Sequence, residues 1–533
     1  MKMRYIYIST MLVATVFTSC HKDLDLAPAN STNAEAQYST ALGYKQALAK
    51  VYGSYSLISS TGVGNSDVYQ PGLGGDQAPT DFIRGYWNMQ ELTTDEAVCA
   101  WNDPNLQSYH NFSWTSSNPL ITAVYARCLF QITVCNEFIR ESSDAKIAAR
   151  GFTGAEATDI KHYRAEARFL RAYQYWVLAD LFGNPPFVTE KDPIGKYIPP
   201  QIKRADLFNY IETELKEIDP ELVAPRSNEY ARADQAAAWA LLARLYLNAE
   251  TYIGTPKYTE AITYASKVIG AGYTLLDNYS NLFKSDNNLN NNEVILAIAY
   301  DAERSQNYGG TTFLINSAHA NNDLTDLNDF GIPKGGWLGN RATKNLPMTF
   351  GDYTGNTDKR ALFKSSGNIE VGSVLNFSNG LEVHKFSNIT SDGLIPSSPN
   401  GVLANTDFPL FRLAEMYLTY IEAVKRGGTG GNTITALSYF NGLRYRAYGN
   451  TSGNVGSNYT LDDILNERQR ELYWECFRRT DLIRFGKFTS STYLWPWKGS
   501  VADGTGVDDH YKLFPIPSAD RISNTNLKQN DGY

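Results

Sequence analysis

Cysteine is scarce in this chain, with five among 533 residues. Beyond Cys20 they stand at 99, 128, 135 and 476 with no Cys-x-x-Cys pair, which removes a zinc ribbon or dithiol centre and leaves them as buried thiols. If Cys128 and Cys135 share a helix they lie about 10 Å apart along its axis, too far for a disulfide. Histidine is equally sparse: the six at 21, 110, 162, 319, 384 and 510 form no His-Glu-x-x-His zinc motif. There is no Gly-x-Ser-x-Gly nucleophile elbow, and Gly367–Ser373 imitates a phosphate loop without its lysine. Positive charge is in deficit, 48 Lys and Arg against 56 Asp and Glu, so no nucleic-acid partner is expected. No later segment offers a membrane span: Ala236–Ala249 is broken by Arg244 and Val294–Tyr300 is too short.

One apolar run stands out at the start. Met1–Arg4 carries two positive charges, Tyr5–Phe17 is mostly apolar, and Thr18-Ser19-Cys20 places small residues before a cysteine. The run falls short of the ~20 residues a spanning helix needs and fits a lipoprotein signal peptide over 1–19, with Cys20 as the lipidated residue. An ordinary secretory leader with an incidental cysteine is the alternative. Residues 20–34, with Pro28, Asn30 and Ser31, read as lipid anchor and flexible tether. Loss of Lys2 and Arg4 with the leader makes the mature chain two charges more negative than the full chain's −8. Residues 35–533, within a chain that is 43% hydrophobic, are long enough to bury a large core as a single domain.

Helical periodicity dominates 35–275 and 408–487. Phe169, Tyr173, Trp176 and Ala179 recur at three- or four-residue spacing, and Gly183 with Pro185-Pro186 stops that helix. Ala237–Ala249 with Tyr258–Ile269, and Leu410–Lys425 with Ile434–Tyr448, read as helix pairs whose small residues permit close approach while Tyr246, Tyr417 and Tyr439 fill gaps. This is the logic of divergent tetratricopeptide-like repeats; a plain antiparallel bundle accommodates the same pattern. A further helix is expected from Leu461 to Phe485, capped by Thr460 and supported by Glu475 with Arg479. Residues 276–405 differ, with 21 Asn and 13 Gly, and read as ordered loops with short strands at Val294-Ile295-Leu296 and Val383. Such a loop-rich excursion on a rigid frame is where ligand binding is expected. Residues 488–533 form a turn-rich tail.

Several motifs resemble the SusD/RagB family of surface nutrient-binding lipoproteins. They are Glu166-Ala167-Arg168-Phe169-Leu170-Arg171-Ala172, Asp180-Leu181-Phe182-Gly183, Phe411-Arg412-Leu413-Ala414-Glu415, Asp481-Leu482-Ile483-Arg484-Phe485-Gly486, and Pro515-Ile516-Pro517 ahead of Asn530-Asp531-Gly532-Tyr533. The resemblance implies a mainly α, SusD-like helical-repeat scaffold, an outer-membrane lipoprotein exposed at the cell surface, and a SusC-like TonB-dependent transporter as partner. The segments Glu91–Glu96 before Trp101, Asn307-Tyr308-Gly309-Gly310, and Gly336-Trp337 are similar to those of the family's starch-binding founder. On that resemblance Trp101, Tyr308 and Trp337 stack on sugar, and Asp76 and Arg84 are polar contacts. Pro104 stands where the founder has a sugar-bonding asparagine, for which Asn102 or Asn105 would substitute. The Tyr308–Trp337 loop is longer than the founder's, which bears on the curvature of the arc.

A pyranose has C–H-rich faces and a rim of hydroxyls, so rigid Trp and Tyr planes together with amide, carboxylate and guanidinium groups suit it. A curved set of planes favours a curved polymer such as starch or a related α-glucan. Taken singly, each aromatic is more readily a core residue than a ligand platform, and Asp76 and Arg84 can simply pair with each other. Asp286, Asn288 and Asn290 offer alternating oxygens that suit a structural calcium ion, although a polar surface turn explains them equally well. No cofactor is required. Two other functions stay open on the residues: the same lid carrying another glycan or a peptide, and a two-carboxylate glycoside hydrolase. The family resemblance implies binding without turnover.

Overall fold

The computed structural model describes residues 34–533 apart from Val63, Asn322 and Asp323, and all side chains there except those of Leu324 and Thr325. The leader and Cys20 lie outside the described residues, as does the tether up to residue 33. The main helices of the first half are α1 (Ala41–Ser56), α2 (Phe82–Glu91), α3 (Pro119–Glu141), α4 (Gly154–Phe182), α5 (Arg204–Ile218), α6 (Gln235–Leu247) and α7 (Tyr258–Ile269). They continue with α8 (Gly310–Asn316), α9 (Leu413–Lys425), α10 (Thr433–Tyr448), α11 (Leu461–Leu472) and α12 (Arg478–Arg484). Four short strands join them: β1 (Ala97–Cys99), β2 (Val294–Ile298), β3 (Asn340–Ala342) and β4 (Phe408–Arg412).

Local chemistry sets many of the helix ends. Asn118 caps α3 ahead of Pro119, Asn432 caps α10, and Thr460 and Asp463 form a reciprocal capping box on α11. Gly183 ends α4 at φ +73°, a backbone angle that L side chains resist. Successive helices pack in hairpins, α3 on α4, α4 on α5, α6 on α7 and α9 on α10. Fully buried Ala237, Ala240, Ala243, Ala261 and Ala265 let α6 and α7 close tightly. The architecture is mainly α, a frame of paired helices in a repeat-like array.

Helix α7 packs directly on α9, so the array runs on across the excursion. The base of that excursion is closed by antiparallel β2 and β4, with Val294 opposite Arg412 and Ile298 opposite Phe408. Antiparallel β1 and β3 tie it to the N-terminal part of the chain, with Ala97 opposite Ala342 and Cys99 opposite Asn340. No described helix is long and apolar enough to cross a membrane. Cys128 and Cys135 both lie on α3, and all four described cysteines are free and buried.

Two helix expectations need correction. The segment expected to start helical at Leu410 begins as β4 and turns helical only at Leu413. The single helix expected over 461–485 is broken between α11 and α12, where Trp474 and Cys476 take positive φ. Glu475 does not support Arg479 within one helix: it is buried against Arg412 and Lys385, and Arg479 donates instead to the Tyr511 and Lys512 carbonyls. Tertiary ion pairing outweighs the few tenths of a kcal/mol that an i,i+4 helix pair supplies.

Candidate functional site

The site begins with Asp81. Its carboxylate caps α2 by accepting the Arg84 N–H at 2.8 Å, and it also accepts the Gly310 N–H at 2.8 Å and a bond from the Asn307 amide. Burial raises the Asp81 carboxyl, and the Arg84 and Gly310 amides act against that rise. A Cβ at Gly309 would lie 2.2 Å from Asp81, so the 307–310 turn fits against α2 only without a side chain there. Tyr308 is thereby held beside the start of α2.

Trp101 and Trp337 reach the same place through the β1–β3 pairing. Beyond Cys99 the Ala100 N–H donates to the Gly339 carbonyl at 2.8 Å, and Trp101 follows. Gly339 sits at φ +134°, and a Cβ there would be 2.4 Å from the Trp101 indole nitrogen, so the indole lies flush on bare backbone. Trp337 is set by the end of α8: its N–H donates to the Asn316 carbonyl at 2.7 Å, and Leu338 N–H to His319 at 2.9 Å.

The three aromatic rings are all half-buried. Trp337 and Tyr308 have ring centroids 6.3 Å apart with planes inclined by 54°, and Trp101 meets Phe313 at 6.1 Å. Trp101, Trp337, Asp76, Arg84 and Asn102 line one open cleft of about 600 Å³, and Tyr308 extends it through its contact with Trp337. Asn105 does not line this cleft. The site is therefore not confined to 276–405, because four of its six expected residues come from 76–102.

Arg84 is buried with its guanidinium 4.9 Å above Phe313 and 5.6 Å above Trp101. Its partners are distant: Asp76 at 3.7 Å and the Tyr308 carbonyl at 3.5 Å, past the usual hydrogen-bond range. Burial pushes the guanidinium below its ordinary value, and Asp76, Asp103 and Asp81 pull it back. The Tyr308 hydroxyl accepts a bond from Asn400 at 3.3 Å.

Sequence reasoning missed Asp81, Arg341, Leu375 and Phe377. An Asp directly before an apolar helical stretch is a capping signal that points to Asp81. Leu375 and Phe377 line the cleft from an Asn-, Gly- and Ser-rich stretch that has no readable period. Arg341, paired across from Val98, is fully buried and donates to the Val374 carbonyl at 2.8 Å and to the Asn376 carbonyl. Burial lowers its guanidinium to about 10. Beside it, Val98, Val371 and Val374 form a small apolar cluster under Trp497.

The turn expected to suit calcium has its charged donor engaged, since the Asp286 carboxylate accepts from the Ser391 N–H at 2.8 Å and hydroxyl at 2.6 Å. Asn288 and Asn290 are exposed. Among the described residues, Asp326, Glu382 and His384 have ligand atoms within 4.8 Å of one another. The Lys364 ammonium is 3.1 Å from Asp326 and 3.4 Å from Glu382 and pairs with both carboxylates. The buried carboxyl neighbours Glu91 and Glu96 accept the Cys476 and Trp474 N–H groups and are shut away from any substrate.

Residues 351–533 match the SusD family, and residues 33–247 match a family described as starch-binding and associating with the outer membrane. The chain is 35% identical to the starch-binding protein SusD of Bacteroides thetaiotaomicron, over the whole of both chains. This chain belongs to the SusD family. Surface glycan-binding protein A from Bacteroides fluxus superposes with a TM-score of 0.69 at 23% identity, covering 93% of this chain and 100% of that one. A SusD homolog from Bacteroides thetaiotaomicron gives 0.74 at 19% identity, covering 94% and 99%. At such identities these likenesses establish the SusD-type fold. The two matched SusD-family segments span most of the helical frame together with Asp76, Arg84 and Trp101, whereas Tyr308 and Trp337 fall between them.

Proposed function

We propose that this SusD-family chain is a cell-surface glycan-binding lipoprotein that captures starch-like α-glucan and delivers it, uncut, to a SusC-like TonB-dependent outer-membrane transporter. Lipid on Cys20 tethers the body over the barrel. Trp101, Trp337 and Tyr308 stack on successive sugar rings, while Arg84, Asp76 and Asn102 bond their hydroxyls. The observation that carries this reading is that half-buried Trp101 and Trp337, from distant segments, line one open cleft, with half-buried Tyr308 packed against Trp337. Arg84 adds to it, because its guanidinium is buried at the cleft with only long contacts to Asp76 and Tyr308, leaving donor capacity for vicinal hydroxyls. Inclined planes suit a polymer that curves, as α-1,4-glucan does. No metal ion enters this scheme.

Affinity electrophoresis against amylopectin, pullulan, dextran, inulin and xylan tests the reading. Retardation is expected in amylopectin, with no reducing ends released on incubation with soluble starch. Replacing Tyr308 and Trp337 together by Ala should weaken binding at least about tenfold, as truncation of central aromatic anchors does. Unchanged retardation of that double variant with its fold intact would remove the platform, and release of reducing ends would make the protein a hydrolase. Polymer and heptasaccharide should be compared, since several sites along one polymer raise apparent affinity.

A further inference from the structure

The cleft has an apolar contribution that the aromatic platform does not account for. Leu375 and Phe377 line it beside Trp101 and Trp337, yet they are 50% and 44% exposed. Large apolar side chains left open next to a binding surface mark a contact awaiting a partner. They are also held in place by unusual means. Arg341 is fully buried, makes no ion pair among the described residues, and donates to the Gly339 carbonyl at 3.1 Å and to the carbonyls of Val374 and Asn376, the residues that flank Leu375 on both sides and precede Phe377. A buried guanidinium is costly to maintain, so the segment it grips is being held in one conformation. Underneath, Val371 and Val374 pack with Val98, and the Trp497 indole N–H donates to the Val371 carbonyl at 2.7 Å. The segment is anchored before Leu375 and again between its two exposed residues.

We propose that Leu375 and Phe377 form a second apolar wall that covers the other face of a sugar ring stacked on Trp101 or Trp337, and that Arg341 is the positioning residue for this wall. The inference rests on the glycan-binding reading above. Its chemical consequence is selection of configuration. An α-linked glucose unit carries its free ring hydroxyls equatorially. Its one axial oxygen is the glycosidic O1, which has no hydroxyl proton to leave unpaired, so both faces keep axial C–H groups that can lie against apolar side chains. An axial hydroxyl, as at C4 of galactose, points from one face into the wall and loses its hydrogen bonds to water without replacement. The wall therefore favours gluco-configured units over their axial epimers.

Calorimetric titration of maltoheptaose into the full chain, its Leu375→Ala/Phe377→Ala variant and the Arg341→Met variant tests this. The double variant should bind about tenfold more weakly. In saturation-transfer NMR its preference for methyl α-glucoside over methyl α-galactoside should shrink. Arg341→Met should weaken binding in the intact protein and cost clearly less when Leu375 and Phe377 are already Ala, the remainder reporting its bond to the Gly339 carbonyl beneath Trp101. Should Arg341→Met fail to fold, the Leu375→Ala/Phe377→Ala variant decides alone. Unchanged affinity and unchanged epimer preference in that variant, with wild type still binding maltoheptaose, overturns the wall while leaving the platform standing. Wild type that binds no glucan fails at the platform itself.

Discussion

The α6–α7 contact of the helical frame and the seam that joins the 276–405 excursion to that frame are held by different forces. Between α6 and α7 the contact is made by fully buried alanines, and what matters there is volume. The excursion is joined to the frame by buried charge. Arg360 lies 2.8 Å from Asp358, 2.7 Å from Glu467 and 2.9 Å from Glu471, the last two on α11. Arg412 bridges Glu293 at 2.9 Å, Glu471 at 2.5 Å and Glu475 at 2.7 Å, and Lys385 reaches Glu475 at 2.6 Å. The excursion also buries apolar side chains such as Phe283, Phe313, Leu314, Leu381 and Phe386 in the common core, and the directional, charge-assisted bonds fix how it sits on the frame. The paired helices supply the rigid frame, and the excursion clamped to it supplies Trp337, Leu375 and Phe377 to the cleft.

The sharpest way to break this contrast is Arg360→Met. Removing one member of a buried network strands its carboxylates, so a loss of about 3–5 kcal/mol is expected in chemical denaturation. A loss below about 1 kcal/mol would mean that the clamp contributes little.

Acid attacks the same clamp. Burial alone would raise the Glu467 carboxyl, but Arg360, Arg470 and Arg444 outweigh it and bring it from 4.5 down to about 2. Glu471 is held low in the same way by Arg446, Arg412 and Arg360. A carboxyl whose folded value is depressed contributes stability that is complete above about pH 4.5 and is lost as pH falls through about 2. Urea titrations from pH 6 to pH 2.5 should show a fall of roughly 2–3 kcal/mol. The fall should be shallower in Arg360→Met, and an equal slope in both proteins would detach the effect from this network.

The alanine contact between α6 and α7 should respond to size, and that response should not depend on pH. Ala240→Leu inserts volume where α6 is fully buried and is expected to cost about 1–2 kcal/mol by overpacking, equally at pH 6 and pH 4. A neutral result in thermal melts would show a looser helix interface than the buried alanines imply.

Much of the frame was legible in the sequence. The spacing of Phe169, Tyr173 and Trp176, the stop at Gly183 and the cap at Thr460 are near-neighbour effects, and each is found in the fold. The break at Trp474–Cys476 was hidden, because Glu475 serves Arg412 and Lys385 rather than a residue one turn away. The site was legible in part through the resemblance of its motifs. Trp101, Trp337, Asp76, Arg84 and Asn102 do share a cleft, but nothing local draws Leu375, Phe377 or Arg341 to it.

By itself the sequence determined what depends on neighbours within about a turn: helix periods, caps, glycine stops, the absence of metal and nucleophile motifs, and the small and aromatic residues that let helices pair. Only the tertiary structure decided the cleft. Ala100 meets Gly339, and Asp81 meets Gly310 across 229 residues of chain. Contacts so distant in sequence are chosen by burial and hydrogen-bond satisfaction over the whole fold, a balance that no short window of residues contains.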